Sequence, residues 1–451
     1  MTHTELLSPA GTLKNMRYAF AYGADAVYAG QPRYSLRVRN NDFLNENLAT
    51  GIHEAHQLGK KFYLTSNLMP HNSKIKTYIA DMRPVIEMKP DAFIMADPGL
   101  IMMVRETWPE MPIHLSVQAN TVNYAAVKFW QSIGIERIIL SRELSLDEIR
   151  EIRQQCPEME LEVFVHGALC IAYSGRCLLS GYFNHRDPNQ GTCTNACRWE
   201  YKSTPSTENA EGVYKPQHKT AQEQTVSVSD MGDARHPQAD EVMFLEEHNR
   251  PGEQMPIEED EHGTYIMNSK DLRAVEHVKQ LVEIGINSLK IEGRTKSHYY
   301  VARTAQSYKQ AINDALAHRE FDTQLLGTLE NLANRGYTDG FYKRHHTKEH
   351  QNYMQGNSIS RQQQFVGEVI AYDSTTGMAE IDVKNKIKVG DKLELIKPSG
   401  NQDITLERME DLKGNEMSEA KGGGYKIRIP LEKEMAESGL IARYIEAPVL
   451  R

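Results

Sequence analysis

The first two thirds of the chain alternate short apolar runs with amphipathic segments of helical period. The runs predict buried strands at 4–9, 24–30, 60–66, 91–96, 112–118, 136–141, 160–166 and 287–292. Helical patterns fit between them, for example at 123–134, where Gly134 is suited to end the helix. Eight successive β-then-α units predict an α/β fold, the TIM-type (β/α)8 barrel. An open doubly wound sheet is the alternative, although no glycine-rich phosphate loop follows the first strand.

The pattern changes twice after the seventh predicted strand. Residues 202–265 are rich in Glu, Asp, Pro, Gln and Ser, which predicts an acidic, flexible insertion between strands seven and eight. From Arg361 onwards, short alternating strands separated by glycine turns predict a small β-rich domain. The predicted organisation is therefore a barrel at 1–201 and 266–330, the insertion at 202–265, a linker at 331–360 and a C-terminal β-rich domain at 361–451.

The charge of the chain is unevenly distributed. The net charge is −9, and residues 202–265 alone carry 14 acidic and 5 basic side chains, so the rest of the chain is neutral and can present a basic face. The chain contains no apolar run of 18 residues, and its first residues lack the basic and apolar regions of a signal peptide. We therefore expect a cytoplasmic protein with no membrane association, in which thiols stay reduced.

Polar side chains follow the predicted strands, at the end of the barrel where active sites form. Arg142 is one member of this ring. We select as substrate-binding candidates Arg37, Arg39, Asn67, Gln118, His166, Glu292 and Arg294. Guanidinium groups hold carboxylates through paired hydrogen bonds, so the arginines suit a small polycarboxylate. A surface salt bridge is the alternative role for Arg37 and Arg39, and no residue of the ring is singled out as catalytic.

Four of the five cysteines lie within 28 residues, directly after the seventh strand. They are Cys170, Cys177, Cys193 and Cys197. Clustered cysteines in a reduced compartment favour metal binding. Structural zinc sites present two close cysteine pairs, and only Cys193 and Cys197 fit that form. Thiolate ligands suit an iron–sulfur cluster with looser spacing, so the spacing favours that cofactor and leaves zinc or redox-active thiols open.

Several segments resemble conserved blocks of peptidase family U32. The strongest match is "ELEVFVHGALCIAYSGRCLLSG", and "ELLSPAG", "GADAVYAG", "NSKDL", "SLKIEGR" and "NRGYTDGFY" extend the resemblance over nearly the whole chain. The family name is older than the chemistry of several members, which are oxygen-independent hydroxylation factors that carry a 4Fe-4S cluster and act on transfer RNA, ribosomal RNA or a quinone precursor. The resemblance therefore implies a TIM barrel and an iron–sulfur protein.

The resemblance also implies particular ligands and a reaction. Cys170, Cys177 and Cys193 match three cluster ligands. Family members often read "NSKDLC" where this chain has Arg273, so Cys197 becomes the candidate for the fourth ligand. The implied reaction is formation of 5-hydroxyuridine at the tRNA wobble position, with the dicarboxylate prephenate as co-substrate. Electron donors or iron–sulfur assembly proteins are possible partners.

Two segments combine cations with aromatic residues and predict a tRNA-binding surface. The candidates are Lys296, Tyr299, Tyr300, Lys343 and Arg344, and the C-terminal "KNKIKVGDK" extends that surface. A solvated helix face is the alternative. Two other functions remain: a collagenase-like U32 protease, although no G-x-S-x-G or H-E-x-x-H motif is present, and a non-catalytic zinc-binding, RNA-associated protein.

Overall fold

The computed structural model describes residues 3–31, 33–36, 42–169, 271–332, 334, 336–343 and 363–445 in full. It also describes the backbone of six short ranges between 201 and 264. Every contact and distance given below is between these residues.

Eight parallel strands form a closed barrel, as the apolar runs predict. They are β1 (Glu5–Pro9), β2 (Ala26–Gly30), β3 (Lys61–Ser66), β4 (Ala92–Met95), β5 (Ile113–Leu115), β6 (Arg137–Ile139), β7 (Glu160–Ala168) and β15 (Ser288–Ile291). Each strand pairs with the next one along the chain, and β15 closes the barrel by pairing with both β7 and β1. The predicted TIM-type fold is confirmed. Nearly every strand residue is buried, because helices cover the outside and side chains fill the inside.

Helices follow the barrel strands, and their ends agree with local sequence signals. They are α1 (Leu13–Ala21), α2 (Asn45–Gln57), α3 (Asn72–Glu87), α4 (Pro98–Thr107), α5 (Tyr124–Ser132), α6 (Leu146–Gln155), α7 (Val278–Ile284), α8 (His298–Leu316) and α9 (Gln324–Glu330). Ser145 and Glu148 form a complete capping box at the start of α6. Gly134 has a φ of +84° just after α5, which confirms its predicted role in ending that helix.

A short extension lies beside β7. Strand β14 (Asp271–Arg273) runs antiparallel to β7, and β16 (Tyr337–Thr338) pairs with β14. Gly167 in β7 has a φ of +101°, and a side chain there would collide with the backbone carbonyl of Glu292. Only glycine fits this position, where β7 and the segment after β15 approach each other closely.

The segment predicted as a flexible insertion contains regular backbone structure. Strands β8 (Tyr201–Glu208), β9 (Tyr214–Pro216), β10 (Met243–Glu247) and β11 (Gln254–Ile257) form an antiparallel sheet, and β12 (Glu259–Asp260) pairs with β13 (Gly263–Thr264). Its acidic composition gave no sign of these strands, and its flexibility stays a prediction.

The C-terminal part forms a six-stranded antiparallel sheet with its own core. Its strands are β17 (Gln363–Asp373), β18 (Met378–Val383), β20 (Lys392–Ile396), β21 (Gln402–Thr405), β23 (Tyr425–Pro430) and β24 (Leu440–Tyr444), in the order β21-β20-β24-β17-β18-β23. A small pair, β19 (Ile387–Lys388) and β22 (Glu419–Ala420), lies beside it. Ile396, Leu440 and Ala442 belong to the buried cluster of the barrel, so this sheet packs directly on the barrel.

Candidate functional site

A cavity of about 80 Å3 opens at the carboxyl end of the barrel. It is lined by residues in or just after seven of the eight barrel strands, among them Thr65, Ser116 and Lys290. Four substrate-binding candidates from the sequence line it: Asn67, Gln118, Glu292 and Arg294. The structure therefore brings together residues that are up to 227 positions apart, at the end of the barrel where such folds place their active sites.

Two arginines and one glutamate form the charged wall of the cavity. The Arg142 guanidinium donates to the Ala168 carbonyl (2.7 Å) and lies 3.6 Å from the Glu292 carboxylate. It also stacks 3.9 Å from the centre of the Phe164 ring. Its Nε atom is buried and finds no acceptor among the described residues. Arg142 is thus held in place and still has donor capacity.

Arg294 is bound more completely to its surroundings. Its Nη1 donates to the hydroxyls of Ser35 (2.6 Å) and Thr65 (2.9 Å), and its Nη2 donates to the Leu36 carbonyl (2.8 Å). These bonds join the segment after β15 to the ends of β2 and β3. Arg294 therefore shapes the cavity and adds positive charge to it.

A second ionic network lies beneath the cavity, inside the barrel. The Lys290 ammonium contacts Glu162 (2.8 Å) and lies 4.3 Å from the centre of the Tyr28 ring. Arg137 bridges Glu162 (3.3 Å) and Glu5 (2.6 Å). Burial lowers the pKa of Lys290, while the charge of Glu162 opposes that shift. Both cations are paired with carboxylates in the interior.

The cavity wall contains more cations than carboxylates. Its charged lining residues are Arg142, Lys290, Arg294 and Glu292. Lys290 is paired with Glu162, and the other cation of the lower network, Arg137, also contacts Glu160 (2.8 Å). Carboxylates therefore compensate the lower network, and the wall above it holds two guanidinium groups and one carboxylate. Guanidinium groups in such a wall are suited to contact with an anion.

His166 does not line this cavity, so its role in substrate binding stays a prediction. Its ring is surrounded by the rings of Tyr300, Tyr308 and Tyr337, at centroid distances of 5.8, 5.4 and 5.4 Å. Burial, with smaller contributions from Lys296 and Arg273, lowers the pKa of His166 to about 3, so the imidazole is neutral.

The hydrogen bonds of His166 define its tautomer. The Tyr308 hydroxyl donates to the Val165 carbonyl (2.7 Å), so it accepts from Nδ1 of His166 (3.2 Å). Nε2 then carries a lone pair, and it has no hydrogen-bond partner in the part of the chain that the structure describes. His166 thus presents a buried, neutral nitrogen that can accept a hydrogen bond or bind a metal.

The tyrosines predicted to stack on RNA bases are buried, and that prediction is wrong. Tyr299 stacks on Phe365 of the C-terminal sheet, with 4.6 Å between ring centroids, and the Tyr300 hydroxyl donates to the Glu292 carbonyl (2.9 Å). Both rings are buried in the core, so neither can reach a nucleotide. The alternation of cations and tyrosines in this segment is the amphipathic pattern of α8, whose apolar face includes both rings.

The predicted RNA-binding lysines have different surroundings. Lys296 is partly exposed, and its ammonium lies 5.3 Å from the centre of the Tyr300 ring. Lys343 pairs with Glu276 (2.9 Å) and Asp339 (3.4 Å), next to the buried His277. A contact between Lys343 and phosphate would have to compete with two carboxylates. The two lysines therefore remain candidates, with Lys343 the weaker one.

Several predicted residues lie outside the described part of the chain. They are Cys170, Cys177, Cys193, Cys197, Arg37, Arg39 and Arg344. In the sequence, Cys170 directly follows Leu169, the residue after the end of β7. Arg273, which stands where family members often have a cysteine, lies opposite His166 in the β14–β7 pair and contacts Glu330 (2.5 Å).

Two charged residues that line the cavity were not among the substrate-binding candidates. Lys290 was not recognised in the sequence, and Arg142 was named only as a member of the polar ring. Lys290 lies within the strand-forming run "NSLKIE". A lysine inside an otherwise apolar parallel strand predicts a buried charge, because both faces of such a strand are covered. Arg142 follows β6 like other ring members, and no sequence signal distinguishes it from exposed arginines.

A closed β/α barrel with a charged cavity at the carboxyl ends of its strands places this chain in the class of TIM-barrel proteins, which form their active sites at this end. This chain belongs to peptidase family U32: the family model matches residues 11–352, and the model of the U32 C-terminal domain matches residues 361–443.

Curated relatives cover almost the whole chain. It is 62% identical over 439 residues to "tRNA hydroxylation protein P" of Escherichia coli (strain K12), covering 96% of this chain and 95% of that protein. The protein of the same name from Haemophilus influenzae is 60% identical over 433 residues, with 96% and 94% covered. A more distant relative is "Collagenase" of Porphyromonas gingivalis, which is 27% identical over 461 residues and covers 98% of this chain and 97% of its own length. Among the described helices, none is long and apolar enough to span a membrane.

Proposed function

We propose that this chain is a tRNA-modifying hydroxylation factor that forms 5-hydroxyuridine at the wobble position, independently of dioxygen and dependent on prephenate. The names and high identity of its relatives support the tRNA hydroxylation role. The structural observation that carries the proposal is the pair of arginines, Arg142 and Arg294, in the lining of the barrel cavity, which suits a small carboxylate co-substrate. A tRNA substrate is also consistent with the expected cytoplasmic location.

The described residues suggest how the acid is held. Arg142 is the carboxylate-binding group in this proposal, because its Nε has no acceptor among the described residues and its bond to Glu292 is long at 3.6 Å. A bidentate carboxylate would take that free donor capacity. Asn67 and Gln118 offer neutral hydrogen-bonding groups beside it, and Tyr28 and Phe164 offer apolar surface for a ring. Prephenate carries a second carboxylate, for which Arg37 and Arg39 remain the predicted partners.

The same proposal assigns a 4Fe-4S cluster to Cys170, Cys177, Cys193 and Cys197, with electron transfer as the chemistry that such a cluster supplies. Two features of the described residues fit a cluster near the end of β7. His166 presents a buried nitrogen that can accept a hydrogen bond or bind a metal, and its hydrogen bond to Tyr308 fixes the tautomer. Arg273 on the neighbouring strand occupies the family's usual cysteine position, which leaves Cys197 as the proposed fourth ligand.

The test is mass spectrometry of tRNA nucleosides from a strain that lacks the gene. We expect 5-hydroxyuridine and its derivatives to disappear and to return with the wild-type gene on a plasmid. Purified protein with its cluster, tRNA and prephenate should form the nucleoside under argon. Unchanged 5-hydroxyuridine in the deletion strain would reject the proposal. Hydrolysis of gelatin by the purified protein would instead favour the protease alternative, for which the described residues contain no nucleophile–histidine–acid arrangement.

A further inference from the structure

The C-terminal sheet has a defined direction relative to the mouth of the barrel cavity. Helices α1 and α8 follow β1 and β15, so both helices begin at the mouth. At the start of α1, Lys14 pairs with Glu368 of β17, and His298, the first residue of α8, lies 3.4 Å from the same carboxylate. Lys384, just after β18, also reaches Glu368 (3.5 Å). The β17–β18 side of the sheet is therefore near the mouth.

Contacts further along the two helices involve the other side of the sheet. The Tyr22 hydroxyl at the end of α1 lies 2.8 Å from the Ile396 carbonyl of β20. Arg303 in the middle of α8 holds Glu394 of β20, and Gln306, one turn later, donates to the Lys397 carbonyl. Lys384 contacts Glu368 beside the starts of α1 and α8, and Tyr425 pairs with Val383 at the same end of β18. The segments 384–388 and 421–426 therefore lie on the mouth side of the sheet.

The exposed lysines of these two segments form what we call the basic edge. They are Lys384, Lys386, Lys388, Lys421 and Lys426. Nearby carboxylates pair with three of them: Asp382 with Lys384 (2.6 Å), Glu419 with Lys386 (2.7 Å) and Glu380 with Lys426 (3.6 Å). Within the described part of the chain, Lys388 and Lys421 have no carboxylate within 4.0 Å. The edge thus carries two surplus positive charges.

The surroundings of Glu419 show how close these lysines are. Its pKa is lowered first by the hydrogen bond and charge of Lys386, and then by the charges of Lys421 and Lys388. The opposite side of the domain differs in charge. There Lys397 pairs with Glu432, and the short helical turn 433–436 contains Glu434 and is followed by Glu437. The domain is therefore polarised, with its basic side towards the mouth.

The basic edge also has an open backbone and an exposed ring. Gly423 and Gly424 have φ angles of +93° and +98°, and no atom lies within 4 Å of where their side chains would be. Such a segment lets a phosphate approach the main chain. Tyr425 follows directly and is 50% exposed, in contrast to the buried Tyr299 and Tyr300, so its ring can stack on a base.

We propose that the basic edge binds the sugar–phosphate backbone of the tRNA substrate and so positions the target nucleotide at the mouth of the cavity. This inference rests on the proposed function. The cavity accepts only a small molecule, so most of the tRNA must lie outside the barrel and against neighbouring surface. Surplus lysines, open glycine backbone and an exposed tyrosine are the combination that contacts phosphates and bases together.

The test compares tRNA affinities of the full-length, cluster-loaded protein at two salt concentrations. The variant Lys388→Gln/Lys421→Gln removes the two unpaired charges, and Lys433→Gln on the opposite side of the same domain is the matched control. Each lost phosphate contact weakens binding roughly five- to eightfold at 0.1 M salt, so the double variant should bind about 25- to 60-fold more weakly. Its slope of log affinity against log salt should be shallower by about 1.4–1.8. Tyr425→Leu should weaken binding without changing the slope.

The outcomes separate this inference from the proposed function. If the wild-type protein binds tRNA with a steep salt dependence and the double variant binds equally well, the basic edge is not the RNA surface. Equal losses in the double variant and in Lys433→Gln would also overturn the inference, because they would show a general charge effect. If wild-type protein has no affinity for tRNA, both the inference and the proposed function fail. Unchanged melting temperatures of the exposed-lysine variants confirm that folding is not the cause.

Discussion

Replacing Arg142 by methionine tests the anion site most directly. Methionine keeps an unbranched apolar side chain against Phe164, where the guanidinium now stacks at 3.9 Å, and removes the charge and the donors. Arg294 is then the one guanidinium group left in the cavity lining, and it already donates to Ser35, Thr65 and Leu36. We therefore expect the cavity to lose its preference for an anion while the barrel stays folded.

The magnitude follows from the bonds that Arg142 makes and can make. A charge-assisted hydrogen bond to a carboxylate contributes about 1.5–3 kcal/mol, so the dissociation constant for prephenate should rise roughly 10- to 150-fold. The cost to folding is smaller. The variant loses the bond to the Ala168 carbonyl, and the Glu292 contact at 3.6 Å is weak, so we expect about 1 kcal/mol and a decrease of a few degrees in melting temperature.

The assay is isothermal titration calorimetry with prephenate, alongside thermal unfolding. Arg153→Met is the matched control, because Arg153 also donates to backbone carbonyls, those of Pro157 (3.0 Å) and Met159 (2.8 Å), but at the opposite end of the barrel. Arg153→Met should lower the melting temperature without weakening the binding of prephenate. An unchanged prephenate affinity in Arg142→Met would refute the assignment of the carboxylate to this cavity wall.

Three further predictions concern other parts of the molecule. Cys170→Ala should abolish the brown colour and the absorption near ~400 nm of anaerobically purified protein. The control Cys156→Ala, at a buried position in the barrel core, should keep both. A colourless wild-type protein with bound zinc would contradict this prediction. Glu394→Gln should lower the free energy of unfolding, measured by thermal or urea unfolding, by about 3–5 kcal/mol. The reason is that Arg303, which is only 1% exposed, loses its ionic partner. A change below about 1 kcal/mol would show that the ion pair contributes little to stability. Burial lowers the pKa of His166 to about 3, so the neutral ring contributes its full stability above about pH 6.5. This contribution is lost as the pH falls towards 3, by up to about 1.4 kcal/mol per pH unit. His166→Gln should therefore flatten the acid side of the curve of unfolding free energy against pH, and an identical curve would refute the assignment.

The pattern of apolar residues was sufficient to predict the barrel. Buried parallel strands need apolar side chains on both faces, so each of the eight strands produced a mainly apolar run. Every predicted run coincides with a barrel strand, and β7 continues two residues beyond its run. The position of the candidate site followed from the same pattern, since the ends of the strands meet at one mouth. Strand order alone therefore places Asn67, Gln118, Glu292 and Arg294 at this mouth, and all four line the cavity.

The roles of individual side chains depended on contacts between distant segments. Tyr299 and Tyr300 resemble base-stacking residues because they alternate with cations, but packing against Phe365 and the Glu292 carbonyl buries them. His166 follows the same rule, since three tyrosines from remote segments enclose it.

The sequence by itself determined the barrel, the C-terminal β-rich domain and the family, because periodicity and local motifs are properties of neighbouring residues. Only the tertiary structure decided which charges are compensated. Arg142 lies in the cavity wall beside Glu292, which is 150 positions away in the sequence. Lys290 belongs to the lower network because its ammonium contacts Glu162 on the neighbouring strand β7. The position of the basic edge beside the mouth was decided in the same way, through Glu368 and its partners on α1 and α8. Charge balance is a sum over spatial neighbours, and neighbours in space are set by the fold.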